Sequence, residues 1–288
     1  MLTLVMPEDQ ASPLFDELWQ EIRVFEATFS RFLPDSELTY VNQRAGIATE
    51  VSPEFIALAS AARDYSRRTE GLYNPFVLPK LQAAGYKNSW LNPDVQEPGT
   101  DFSNRAIVQA EKLEIGKTWV KIPSQAALDF GGIGKGYLLD ELVKLLPKQG
   151  IEGYWFSLGG DIACGGFDNE QAPWQIGIQQ ADGHDTVANI VNAKGENLAI
   201  ATSGTTKRKG EGWHHIIDPR SGHSATTDVL TATVQAGSGT QADVLAKCLV
   251  IAGTQQLDSF ARRHKITDYL VQAEDNKGDI TLIRSGAF

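Results

Sequence analysis

Four short stretches combine small residues with charged or polar ones, and they are the candidates to carry chemistry. They are DFGGIGKG (129–136), LGGD (158–161), SGTTKR (203–208) with HHIIDP (214–219), and GTQADVLAK (239–247). In the first, the glycines let the backbone take unusual angles and come close to a ligand. A helix beginning near Lys135 would aim its amides at one point, and the lysine would add a full positive charge there. Asp129 supplies a carboxylate beside it. The guest such a turn suits is a phosphate or diphosphate. The same residues also suit a plain strand-to-helix turn with glycines for tight packing and a solvated lysine. The stretch has neither the GxxxxGK[ST] spacing nor the setting of a GxGxxG fingerprint.

In GTQADVLAK, Asp243 falls in the first turns of a helix and Lys247 one turn further on, so both share a face. That spacing fits an exposed ion pair worth a few tenths of a kcal/mol, or a carboxylate for Mg2+, which takes few protein oxygens and completes its shell with phosphate and water. His214 and His215 are neighbours in an expected strand, so one of them alone can face a site. His215, on the side leading to Ile217 and Asp218, is the candidate. Cys164 and Cys248 have no CxxC partner and are read as inert. No GxSxG elbow or HExxH helix is present.

These stretches must be held by regular elements. A short strand is expected at 2–6 and a helix over 13–32. Ser36 starts a short helix or turn. Ser52 caps a helix that opens with Pro53. TEGLYNPFVLP (69–79) reads as a loop, 80–99 as irregular, and 106–123 as two short strands. A helix follows over 136–146, then strands at 151–157, 174–179, 198–202, 213–222 and 229–235. Helices at 242–251 and 255–264 and a closing hairpin at 268–284 complete the chain. Strands and helices mix without strict alternation, which predicts an α+β fold of mixed sheets with packed helices. No linker or repeat appears, so residues 1–288 are expected to form one structural unit.

With 288 residues, 42% hydrophobic and 22% charged, the chain has ordinary globular composition. A formal charge of −10 argues against a general nucleic-acid binder, though it leaves room for a local positive site. No apolar run reaches membrane-spanning length, and MLTLVMPEDQ does not read as a signal peptide. A cytoplasmic protein is expected, with a periplasmic form whose leader was removed as the alternative.

Taken in order, the motifs resemble those of the FAD:protein FMN transferase family, the ApbE-type flavin transferases, over nearly the whole chain. FSRFLPDSELTYVN, TEGLYNPFV, LDFGGIGKGYLLD, SLGGDIACGG with PWQIGIQ, ATSG with HHIIDPRSG, and ADVLAK stand in the family's register. The resemblance implies an ApbE-like fold that binds FAD as substrate with Mg2+ beside its diphosphate. It implies attack by a Thr or Ser hydroxyl of a partner flavoprotein on the FMN-side phosphorus, with AMP leaving. Residue by residue, Phe32, Leu72, Tyr73, Asn74, Asp129, Lys135 and Ile217 match FAD-contacting positions. Gly132 matches a backbone metal contact and Asp243 the metal carboxylate. His215, oriented by Asp218, is the candidate to deprotonate the acceptor hydroxyl.

Two departures stand out. Lys247 occupies the place of the family's Thr metal ligand, and a charged lysine has no lone pair for Mg2+. Its ammonium is expected to take over part of the ion's charge role. Asn74 stands where the family's loop carries Asp. An FAD-binding scaffold without transfer activity, and hydrolysis of FAD to FMN and AMP, are the alternative readings.

Overall fold

Seven strands lie side by side in one sheet in the computed structural model, which describes residues 1–88, 101–182, 184 and 186–288. They are β1 (Leu2–Val5), β2 (Gly153–Leu158), β3 (Asp161–Gly166), β4 (Leu198–Gly204), β5 (Val229–Ala236), β6 (Asp268–Glu274) and β7 (Ile280–Ser285). Spatial order follows chain order, and every neighbouring pair is antiparallel. Between β2 and β3 the loop is Gly159-Gly160, both at positive φ (62° and 99°). A two-residue hairpin needs that backbone, and glycine supplies it without strain. The turn fixes Asp161 as the first residue of β3, opposite Leu158.

Among the described residues the α-helices are α1 (Glu8–Phe29), α2 (Glu37–Gln43), α3 (Pro53–Arg68), α4 (Leu78–Ala84), α5 (Gly134–Lys144) and α6 (Gly239–Arg263). The fold is α+β, as the mixed pattern predicts. Contacts divide the chain into two compact units. The first comprises Met1–Ile22, Lys135–Thr206 and Thr227–Phe288, the second Arg23–Gly134 and Lys207–Thr226.

In the first unit α6 packs on β3, β4 and β5 and buries Val244, Leu245, Leu249 and Val250. A second apolar cluster holds Cys164, Ile200 and Leu270 against Ile176, Ile178 and Val191. The last three come from a hairpin of Gln175–Gln179 with Val187–Asn192, whose second strand the sequence pattern does not announce. In the second unit Phe29 stacks on Phe55 at 5.7 Å, and Phe130 meets both rings edge-on at 5.8 and 5.7 Å. Such aromatic pairs contribute beyond their buried area.

Several boundaries differ from expectation for local reasons. Helix α1 starts at Glu8, where two acids face the positive helix end, and it carries Pro13 inside. It stops at Phe29, and 31–35 turns instead of continuing it. Ser36 and Ser52 cap α2 and α3 as expected, accepting from the Thr39 and Phe55 amides at 3.1 and 3.2 Å. Residues 78–84 are helical where irregular chain is expected, and 89–99 fall outside the described residues. The expected strand at 106–111 runs into a 3-10 turn at Ala110–Lys112, and pairing starts at Glu114–Ile115, which pairs with Trp119–Lys121, itself paired on its other edge with Thr49–Glu50. The expected strand 213–222 is two fragments. Trp213–His214 pairs with Lys209–Gly210, and Ile217–Asp218 with His223–Ser224. The two helices expected at 242–251 and 255–264 are both present as the two parts of α6, separated at Gly253, whose φ of 67° and ψ of 171° are not helical.

Candidate functional site

In the first unit, Lys135 and Lys247 meet Asp161 and Asp243. Lys135 lies in the first turn of α5, Asp161 begins β3, and Asp243 and Lys247 are one turn apart on α6. Lys135 Nζ is 2.5 Å from Asp161 Oδ2 and 3.2 Å from Asp243 Oδ2. Lys247 Nζ is 3.3 Å from Asp243 Oδ1 and donates to Ser203 Oγ at 3.4 Å. The Gly136 amide donates to Asp243 Oδ2 at 3.2 Å, and the Thr202 amide to Asp161 Oδ1 at 3.2 Å. Both carboxylates are buried, with side-chain exposures of 2% and 1%. The exposed ion pair considered for Asp243 and Lys247 is therefore ruled out, and their pairing on one face of α6 holds.

Burial pulls the Lys135 pKa down, but the charges of Asp161 and Asp243 outweigh it and the net shift is upward. Burial pushes the Asp243 carboxyl up, yet Lys135, Lys247 and the Gly136 amide lower it to about 2. For Asp161 burial wins, with the Asp243 charge adding to it against Lys135, and its pKa is raised. Asp243 thus stays ionised at neutral pH and both ammonium groups have a fixed anionic partner.

Two close contacts set this geometry. A Cβ on Gly136 would lie 2.1 Å from Gly239 O, so α5 and the start of α6 approach at a distance that only glycine permits there. Asp140, one turn along α5, caps α6: Oδ1 accepts the Gly239 amide at 2.6 Å, and Oδ2 the Thr240 amide at 2.9 Å and hydroxyl at 2.5 Å. Ser238 Oγ accepts the Gln241 amide at 3.1 Å.

In the second unit, Asn42 works like a strand edge toward the segment before Asp129. Its Oδ1 accepts the Leu128 amide at 2.7 Å and its Nδ2 donates to Leu128 O at 2.9 Å. The Asp129 amide donates to Pro75 O at 2.8 Å, tying this segment to the TEGLYNPF loop. Asp129 Oδ1 accepts the Gly131 amide at 2.8 Å, and Oδ2 lies 3.4 Å from Arg31 Nε. The Arg31 guanidinium sits 4.6 Å from the ring centres of both Phe32 and Tyr86, and it is 8% exposed. Tyr86 also faces His215 at 6.2 Å and Trp213 at 6.4 Å.

The amide cradle expected over 131–136 takes another form. The Gly131 amide goes to Asp129, those of Ile133 and Gly134 go to Phe130 O, and that of Gly136 goes to Asp243. Positive charge here comes from lysine side chains more than from free backbone amides. Leu72, Tyr73 and Ile217 are buried, and Phe32 is half-buried. Both ends of the Asn74 amide are used, by Val108 O and the Phe76 amide, each at 2.9 Å, so this residue braces its loop. Gly132 lies half-buried in the turn before α5.

Of the two histidines, His214 accepts the Ile216 amide at Nδ1 (3.3 Å), which leaves the proton on Nε2 to bond Ala225 O at 3.1 Å. Burial lowers its pKa, so it stays neutral and structural. Asp218 is held in a fork by Arg220, with Nη2 2.8 Å from Oδ2 and Nε 3.0 Å from Oδ1. Burial raises Cys164 to about 12, and Cys248 is fully buried, in keeping with inert thiols.

The residues do not suit a divalent ion. Each of the four oxygens of Asp161 and Asp243 already faces an ammonium or an amide, and two lysines would repel the incoming charge. Among the described residues no group of three or more His, Cys, Asp or Glu is placed to hold a metal.

A family model described as "ApbE family" matches residues 2–271. The chain belongs to the ApbE family. A relative from Vibrio cholerae serotype O1, named FAD:protein FMN transferase, is 29% identical over 268 residues, covering 91% of this chain and 79% of its own length. One of the same name from Treponema pallidum is 27% identical, covering 94% and 80%. The solved structure of the flavin transferase ApbE from Vibrio cholerae superposes with a TM-score of 0.82 at 26% identity, covering all of this chain and 93% of that one. The apo flavinyl transferase ApbE of Pseudomonas stutzeri, at 22% identity and TM-score 0.82, shares the fold. Motif reasoning gives no role to Asp161, Ser203 and Asp140, which hold the lysines and the start of α6 in the first unit of this ApbE-family chain, or to Arg31 and Tyr86, which pack beside Asp129 and Phe32 in the second. The Gly-Gly hairpin signal in LGGD was the one available pointer to Asp161.

Proposed function

We propose that this chain transfers FMN from FAD to a Thr or Ser hydroxyl of a partner flavoprotein. The acceptor oxygen forms a bond to the FMN-side phosphorus as the bond to the bridging oxygen breaks. AMP leaves with that oxygen, and the acceptor keeps FMN on a phosphoester. The reading rests on family membership and on the name its curated relatives carry. The observation in this chain that carries it is the pair of ammonium groups held by buried carboxylates, Lys135 on Asp161 and Asp243, and Lys247 on Asp243.

Phosphoryl-type substitution asks a protein mainly for positioning and charge neutralisation. Lys135 and Lys247 supply fixed positive charge for the oxygens that gain electron density as AMP departs. A lysine solvated at the surface would pay to reorganise, whereas these two are already oriented by their partners. Taken by itself, the second unit groups Phe32, Tyr86 and Trp213 beside Arg31 and Asp129, an aromatic cluster with a buried ion pair. His215 is the group assigned to take the acceptor hydroxyl proton, since His214 spends both ring nitrogens on the backbone.

Incubation with FAD and a flavoprotein domain bearing a Thr acceptor, followed by intact mass spectrometry, tests the reading. A gain equal to one FMN ester with AMP in solution supports transfer. AMP without labelled protein indicates hydrolysis, and FAD binding with neither product indicates a scaffold; each outcome overturns transfer.

A further inference from the structure

The donor set around Asp243 has a consequence for how a dinucleotide is held, and it rests on the transfer reading above. With both carboxylates ionised, Asp161 and Asp243 set two negative charges against the two positive ones of Lys135 and Lys247, within one set of contacts of 2.5 to 3.3 Å. The cluster is balanced without a metal. Removing Lys247 alone would leave it at −1, with Asp243 Oδ1 open, and that is the condition under which a divalent cation is attracted. With Lys247 present, that oxygen is taken.

Lys247 is also built in. Its side chain is 18% exposed, and Asp243 Oδ1 and Ser203 Oγ fix two of its three N–H donors. The third remains for a ligand. Lys135 is likewise anchored by two carboxylates, with 31% of its side chain exposed. The Gly136 amide is spent on Asp243, and the first amides of α6 are spent on Asp140 and Ser238. The lysines are therefore the principal source of positive charge that this cluster can present to an anion.

We propose that the Lys247 ammonium is a resident cation that stands in for a divalent metal, so that this chain binds the diphosphate of a dinucleotide without one. An ammonium seated on Asp243 cannot be stripped by a chelator, and its affinity for the diphosphate does not vary with the free metal concentration.

Titration calorimetry of the full chain with FAD, once with excess EDTA and once with Mg2+ replacing it, tests this without reference to turnover. The wild-type dissociation constant should be the same in both buffers. Lys247→Thr should weaken binding about tenfold or more in EDTA, the scale of one charge-assisted contact, and should recover on adding Mg2+. Lys247→Met, which keeps the stem but offers no oxygen, should be weak in both. Wild-type binding that requires Mg2+ overturns the inference and leaves the transfer reading standing. A Lys247→Thr protein that binds FAD in EDTA as tightly as wild type overturns it too. Absence of FAD binding in either buffer overturns both. Should the variants fail to fold, the wild-type pair of titrations decides alone.

Discussion

Replacing Gly136 by alanine sets two physical effects of opposite sign against each other. On helix propensity alone, Gly→Ala inside α5 should stabilise by about 1 kcal/mol. The tertiary contact points the other way. The new Cβ would fall 2.1 Å from Gly239 O, 2.5 Å from Gly239 C and 2.8 Å from Thr240 N. All three are backbone atoms, so no side chain can swing aside, and α5 must move by on the order of 1 Å to restore ordinary contact. Overpacking of this kind costs ~1–3 kcal/mol. The same shift stretches the Gly136 amide bond to Asp243 and the Asp140 bonds to Gly239 and Thr240. Weakening bonds to charged groups costs ~1.5–3 kcal/mol each if fully lost. Net destabilisation of ~2–4 kcal/mol is expected after the propensity gain is subtracted. Urea unfolding followed by circular dichroism measures it, and FAD affinity should fall in parallel because Asp243 and its lysines shift. A Gly136→Ala protein as stable as wild type, or more so, would refute the reasoning, since propensity would then have outweighed the close contact.

Asp140→Ala removes the cap of α6 and should cost ~1–2 kcal/mol in urea unfolding, with Asp140→Asn recovering part of it. Asn42→Ala leaves the Leu128 amide and carbonyl buried without their partner and should cost ~2–4 kcal/mol, which a denaturation midpoint would register. The Asp243 carboxyl, lowered from 3.8 to about 2, contributes ~2–3 kcal/mol that is fully present above pH ~4 and fades as pH falls toward 2. Acid titration of stability should therefore show a loss in that window that Asp243→Asn lacks. His215→Ala should lower the transfer rate, whereas His214→Ala should lower stability instead.

Much of this protein is decided by short-range chemistry that a sequence displays. Ser36 and Ser52 cap helices because a hydroxyl one residue before a helical run has a free amide to accept from, and Pro53 costs nothing at a helix start. The ordered motifs carry the family, and the spacing of Asp243 and Lys247 places both on one face of α6. Glycine at 253 marks the break between two helical periods, which the fold keeps as a bend. What the tertiary structure alone decided is the partnership of Lys135 with Asp161 and Asp243. Those residues meet because a two-glycine hairpin sets the first residue of β3 and because Gly136 lets α5 rest against the start of α6. Neither contact has a local signature, since each depends on backbone atoms from distant parts of the chain. The same holds for Asn42, a polar residue in a short helix whose amide completes an extended segment far along the sequence. Burial then turned an ion pair of ordinary helical spacing into an anchored, charge-balanced cluster, because only low exposure makes such charges depend on one another.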